Sequence, residues 1–244
     1  MLNGGSKGGV SCFTVSPSGL HPLDKTLRSV SPTLNQTTPP LSIDQTASDI
    51  FFNPTSTALF AVIKGNSQTN LPPAIFVWPI VDGKVATLPI VSQPETLSLP
   101  FGGAFINDQQ FWLADVAFGA SQLTVSPDFH VHETAHVKIP GEIALCWTTF
   151  VRSLGKVFFT DGHKSEVTAL DAESGSNYTF FDFPGSDAGG FDNLEYQEKL
   201  YLLTGIGTVD VFDLTANEPA VLQSTDISGG DITAMEGLAL WPSV

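Results

Sequence analysis

The chain has 244 residues, with 25 acidic against 10 basic side chains and a formal net charge of −15; 14% of residues are charged and 10% aromatic. That balance excludes a nucleic-acid binder, whose affinity comes from Lys and Arg at phosphates, and argues against an anionic membrane surface as partner. The apolar content suffices for a packed core, and no run of about 18 apolar residues is present to span a membrane.

The N-terminal stretch MLNGGSKGGVSCF lacks the apolar core of a signal peptide. Val10 to Val15 reads as a strand, Ser16-Pro17-Ser18-Gly19 as its turn and Leu20 to Val30 as a returning strand. The chain therefore opens on an isolated hairpin, half a repeat. Residues 31–41 (SPTLNQTTPPL) suit an exposed connector and carry the glycosylation sequon at Asn35; a second sequon stands at Asn177.

Four paragraphs of one grammar follow. Ile50-Phe51-Phe52, a turn at Asn53 to Ser56, and Leu59 to Val62 begin the first; Ile75 to Trp78, the turn Asp82-Gly83 and Val85 to Val91 complete it. The second runs Ala104 to Ile106, a turn at Asn107 to Gln110, Phe111 to Asp115, then Leu123 to Val125 and a last strand ending at Ile139. In the third, Cys146 to Val151 turns at Arg152 to Lys156 into Val157 to Asp161, followed by Val167 to Asp171 and Tyr178 to Phe183. The fourth has an inner strand reached at Leu194, then Leu200 to Leu203, Val209 to Phe212 and Ala220 to Gln223.

Second strands thus start at Leu59, Phe111, Val157 and Leu200. Four short strands in each unit of about 40–50 residues is the pattern of β-propeller blades. A sandwich also has regularly spaced strands but does not repeat one strand–turn–strand grammar. We expect an all-β chain, a β-propeller of four-stranded antiparallel blades in a single domain: residues 1–30 half a blade, 45–100, 101–141, 142–185 and 186–228 complete blades, and 229–244 a closing inner strand. Half a blade, four blades and one strand make no tidy circle. Either the ring is an unusual five-bladed one or N-terminal blades are missing.

The segments GGVSCFTVSPSGLHPLD, LNQTTPP, FFNPTSTALFAVIKG and ALCWTTF resemble secreted fungal proteins of the 3-carboxymuconate cyclase-like group. These are seven-bladed lactonase-type propellers, related to 6-phosphogluconolactonase and carboxymuconate cyclase. The resemblance covers essentially the whole chain and the C-terminal two-thirds of such proteins. It implies a truncated N-terminus, an extracellular location, and action on a lactone or an unsaturated carboxylic acid. It also implies that Cys12 is the second half of a cysteine pair whose partner lies upstream. A Cys12–Cys146 bridge would join distant blades and is not expected.

Propeller sites sit where loops entering inner strands meet loops leaving second strands. That geometry nominates Asp115, Asp161, His163, Asp192 with Asn193, and Glu236. Converging acids and one His could serve as acid and base on a lactone ring, or hold a divalent cation through oxygen. The competing reading is that Asp115 and Asp161 close strand–turn boundaries on local N–H groups and that His163 is an exposed turn residue. No organic cofactor motif is present.

His130, His132 and His136 (FHVHETAHV) read as an exposed outer strand away from the channel. The chain has two arginines, Arg28 on an outer strand and Arg152 at the far turn of an inner strand, so neither reaches the mouth to hold a tricarboxylate. Lys64 and Lys164, at second-strand exits, are weaker substitutes. The functional expectation is lactone-forming or lactone-hydrolysing acid/base chemistry by a monomer. The alternative is a non-catalytic cell-wall or secreted glycoprotein that binds a partner through its rim.

Overall fold

The computed structural model describes residues 1–31, 34, 37, 42, 45–66, 69–176, 178–185, 188–216, 218–229 and 237–240. Among these residues no helix is long and apolar enough to cross a membrane.

The chain opens with β1 (Leu2–Asn3), β2 (Gly9–Val10), β3 (Phe13–Ser16), β4 (Gly19–Pro22) and β5 (Arg28–Ser29). β1, β2 and β5 form a three-stranded sheet, and β3 pairs with β4 as a separate hairpin. The strand expected over Leu20–Val30 is therefore broken. Pro22 has no N–H to extend a ladder, and Lys25 adopts φ 60, so the backbone turns before β5. Val10 to Val15 is likewise two pieces: Val10 pairs with Arg28, whereas Phe13 pairs with Pro22.

The next strands are β6 (Ala47–Phe52), β7 (Ala58–Ile63), β8 (Ala74–Val81), β9 (Lys84–Val85) and β10 (Ile90–Ser92). Their order is β10-β8-β7-β6, with β9 folded back on the end of β8. Asp82 and Gly83 both take positive φ, 50° and 70°, the conformation that matches the twist of a two-residue hairpin. The stretch expected as one strand from Val85 to Val91 is two short ones, because Pro89 supplies no donor.

Three further four-stranded sheets follow. The first holds β11 (Pro100–Asn107), β12 (Gln110–Asp115), β13 (Gly119–Val125) and β14 (Val131–Lys138); the second β15 (Leu145–Val151), β16 (Lys156–Asp161), β17 (Glu166–Asp171) and β18 (Thr179–Asp182). The third holds β19 (Gly190–Tyr196), β20 (Lys199–Thr204), β21 (Thr208–Asp213) and β22 (Val221–Asp226). Each runs in chain order from its first strand to its last. This is the sheet grammar of a β-propeller. Between β15 and β16 the expected turn is a 3₁₀ turn, Arg152–Leu154, ended by Gly155 at φ 61. The closing strand expected over residues 229–244 falls largely outside the described residues.

Leu59, Phe111, Val157 and Leu200 are each the second residue of a second strand, and all four are buried. Second strands such as β7 are covered on both faces, so they read as continuous apolar runs. Outer strands such as β14 alternate between covered and exposed positions, giving the period of two. Three first strands carry a β-bulge at the same place, between Ala47 and Asp49, Leu145 and Trp147, and Gly190 and Asp192. The bulge shifts every following side chain by one position.

The described chain divides into two compact units: Met1–Phe101 with Asn107–Gln110 and Leu123–Thr134, and Gly102–Ile106 with Phe111–Gln122 and Ala135–Val244. In the first, Leu59, Ile63, Phe76 and Trp78 pack with Val10, Val30 and Leu34. Arg28 fastens this unit by donating from Nε to the Ala86 carbonyl at 2.7 Å and from Nη2 to the Val85 carbonyl at 2.9 Å. In the second, Val151, Phe158 and Val167 pack with Leu200, Leu202 and Phe212. Burying each such side chain stabilises by about 1.5–3 kcal/mol before conformational entropy is counted.

Candidate active site

Several acids of the second unit stand at one end of its sheets. Leu145 pairs with Asp161, so the chain entering β15 lies beside the chain leaving β16. Asp161 is 3% exposed. Its Oδ2 accepts the Ile143 N–H at 2.6 Å, and its Oδ1 accepts those of Ala144 at 3.1 Å and His163 at 2.8 Å. Asp115, fully buried, ends β12 as Asp161 ends β16, and its Oδ1 accepts the Ala117 N–H at 2.9 Å. The bonds to His163 and Ala117 are the short-range side-chain-to-backbone bonds by which Asp closes a turn, whereas those to Ile143 and Ala144 reach another segment of the chain. His163 is exposed in that turn.

Glu142 is the residue that sequence reasoning missed. It stands three positions before Leu145, on the loop that enters β15. Its Oε2 is shut off from solvent and has no hydrogen-bond partner. Burial, reinforced by the negative charges of Asp161 and Asp115, pushes its carboxyl from 4.5 up to about 7, against a smaller opposite pull from Lys138. A carboxyl titrating at neutral pH beside two other acids is the sort of group that active sites produce. The signal was present: Pro140-Gly141-Glu142 is a loop into an inner strand, the very place the geometric rule singles out.

Asp192 lies within β19, immediately after its bulge, and not before the strand as expected. Its Oδ1 accepts the Asn193 N–H at 2.7 Å and its Oδ2 the Leu238 N–H at 2.6 Å. Asn193 is buried; its Nδ2 donates to Thr160 Oγ1 at 3.4 Å, while its Oδ1 finds no partner. In the first unit Asp49 occupies the register position of Asp192, after the bulge of β6, and its Oδ1 accepts the Ile50 N–H at 2.7 Å. The strand expected from Ile50 begins at Ala47 and so includes Asp49. Glu236, Asn35 and Asn177 lie outside the described residues.

Of the cations singled out in the sequence, Lys164 is paired and Arg152 stands at the far end of β15, whereas Lys138 acts on Glu142. Arg152 follows Val151, at the opposite end of β15 from Leu145 and Asp161, and lies 5.8 Å over the Phe150 ring. Lys164 pairs with Glu166 at 3.0 Å. Lys64 is buried in the first unit, 3.5 Å over the Phe101 ring, and donates to Thr46 Oγ1 at 3.0 Å. Also in that unit, His130, His132, Glu95 and Glu133 line an open groove of about 480 Å³, which shares no residue with the acids above. Among the described residues no three His, Cys, Asp or Glu side chains form a group that could hold a metal ion. Cys12 and Cys146 are not joined in a disulfide, and the Cys146 thiol donates to the Ala144 carbonyl at 3.0 Å.

No family model and no curated protein matches the chain. Solved structures do. The chain is similar to a periplasmic gluconolactonase, PpgL, of Pseudomonas aeruginosa, with 16% identity and a TM-score of 0.63, over 93% of this chain and 66% of that one. A protein from Lactobacillus plantarum aligns at 13% identity and a TM-score of 0.63, over 91% of this chain and 65% of the other. The Dos1 propeller aligns at 12% identity and a TM-score of 0.56, over 89% and 56%. At these identities the likeness shows the β-propeller fold, and the chain spans less than two thirds of the length of each of these proteins.

Proposed function

We propose that the second unit carries a lactone-directed acid/base site in which Glu142 moves the proton. One observation carries this reading: a carboxyl with one oxygen, Oε2, shut off from solvent and unpartnered, raised to about 7, at the end of the sheets where β12 and β16 terminate and β15 begins. Such a group is half ionised at neutral pH and can act in both directions. As carboxylate, Glu142 takes a proton from water while the water oxygen bonds to the lactone carbonyl carbon. The ring C–O bond then breaks, and Glu142 returns the proton to the departing ring oxygen. Lactone and water become a hydroxy acid, with Glu142 regenerated.

The likeness to a gluconolactonase of Pseudomonas aeruginosa supports a lactone as substrate class. The positions of the arginines support an uncharged one. Arg28 is spent on backbone carbonyls in the first unit, and Arg152 stands at the far end of β15 from Asp161, so a phosphorylated or tricarboxylate substrate would lack a guanidinium here. The test is hydrolysis of simple uncharged lactones, with and without added divalent metal, by the native protein from its source. Glu142→Gln should lower kcat by about 10²–10⁴-fold. No turnover by the native protein would sink the reading.

A second reading has its own observation. The described acids that the sequence nominates, Asp115, Asp161 and Asp192, all accept backbone N–H bonds and so are occupied structurally. That supports a non-catalytic secreted or cell-wall glycoprotein that binds through its rim. An empty pull-down against cell-wall polysaccharide and secreted proteins at micromolar concentration would count against it.

A further inference from the structure

The two residues that follow Glu142 are both tied to one carboxylate. Asp161 takes the N–H of Ile143 on Oδ2 and that of Ala144 on Oδ1, at 2.6 and 3.1 Å. The Gly162 N–H closes on the Ala144 carbonyl at 2.7 Å, a second tie between the same two segments. Gly141, at φ 80, reverses the backbone immediately before Glu142. Glu142 is thus held between a sharp bend and a double clamp, with Oε2 turned out of solvent.

Such a clamp is more than turn closure needs. The usual Asp turn bond runs to the residue two further on, which is the bond to His163; Asp115 shows that bond to Ala117. The bonds to Ile143 and Ala144 reach 18 and 17 residues back along the chain. We propose that Asp161 is a positioning residue acting through Glu142: it clamps the 140–144 loop to the end of β16 and keeps a fixed negative charge beside the Glu142 carboxyl. The inference rests on the reading of Glu142 as the proton carrier.

The charged groups facing Glu142 come from three strands: Asp161 from β16 and Asp115 from β12, both disfavouring its ionisation, and Lys138 from β14, favouring it. Lys164 also approaches the loop, its Nζ 3.8 Å from where a Cβ on Gly141 would stand, but it is paired with Glu166. Three carboxyls share the end of these sheets, and Asp161 grips the loop backbone on both residues after Glu142.

The experiment is a carbon-13 NMR titration of the Glu142 side-chain carboxyl, assigned by its loss in Glu142→Gln, in the whole chain and in Asp161→Asn. The unmodified midpoint is expected at about 7. Asp161→Asn should move it down by about one pH unit, and should move the neutral limb of any pH–rate profile with it. A folded Asp161→Asn chain with an unmoved midpoint overturns the proposal. If that variant does not fold, amide exchange in the unmodified chain decides: Ile143 and Ala144 should exchange about 100-fold or more slower than free amides, and unprotected exchange overturns the clamp. A moved midpoint without lactone turnover removes the proposed reaction and leaves the positioning role. Turnover with an unmoved midpoint does the reverse.

Discussion

The indole N–H of Trp112 donates to the carbonyl oxygen of Ala172 at 2.8 Å, across 60 residues of sequence. The bond joins β12 to the turn after β17, and the same turn contains Gly175. A Cβ on Gly175 would stand 2.6 Å from the Trp112 ring, and its φ is 66°. Gly155 has nearly the same φ, 61°, but open space around it. Both Gly→Ala substitutions incur the left-handed backbone penalty, about 1 kcal/mol. Only Gly175→Ala adds overpacking against a buried indole, for a total of about 2–4 kcal/mol. Urea unfolding of the two variants should separate them clearly.

The turn between β19 and β20 carries an opposite opportunity. Gln197 and Glu198 take φ 53° and 60°, a conformation that suits Asn and Gly. Replacing the pair by Asn-Gly should stabilise the chain by about 1 kcal/mol and raise Tm by about 2–4 °C. The Glu195 Oε1 bond to the backbone N–H of residue 198, 2.7 Å, survives the change because it uses no side chain at that position. Calorimetry showing no gain would mean that the turn tolerates its present residues without strain.

Glu142 links stability to pH with a definite sign. Its carboxyl titrates at about 7 in the folded chain against 4.5 as an ordinary group, so the folded state binds more protons between those values. Stability on this count is full below pH 4.5, falls as pH rises towards 7, and is lost above it. Glu142→Gln removes the loss. With the partial exposure of the group discounted for solvent screening, the variant should gain about 1 kcal/mol at pH 8 and nothing at pH 4, read by urea unfolding at both. Equal effects at the two pH values would show that Glu142 is not raised.

Residues covered on both faces made the fold legible. Leu59, Phe111, Val157 and Leu200 head apolar runs because second strands lie inside their sheets, and that physical pressure writes itself into composition. The hairpin region is not legible because Pro22 and a left-handed Lys25 interrupt what looks like one strand from Leu20 to Val30. Asp192 was set before its strand because a bulge at Phe191 adds a residue that no local pattern announces. The site was half legible. Asp115 and Asp161 stand out as acids ending strands, yet their turn bonds follow from the same positions. Glu142 draws its character first from burial and then from Asp161 and Asp115, which lie 19 residues after it and 27 before it; only the folded sheets bring these together.

The most direct test is the pH dependence of kcat/KM for an uncharged lactone, measured on the native protein and on Glu142→Gln. Glu142 as proton carrier predicts a rise to neutral pH with a midpoint near 7 in the native protein, and a flat, strongly reduced profile in the variant. Full activity in Glu142→Gln, or a midpoint that the substitution leaves in place, would contradict it.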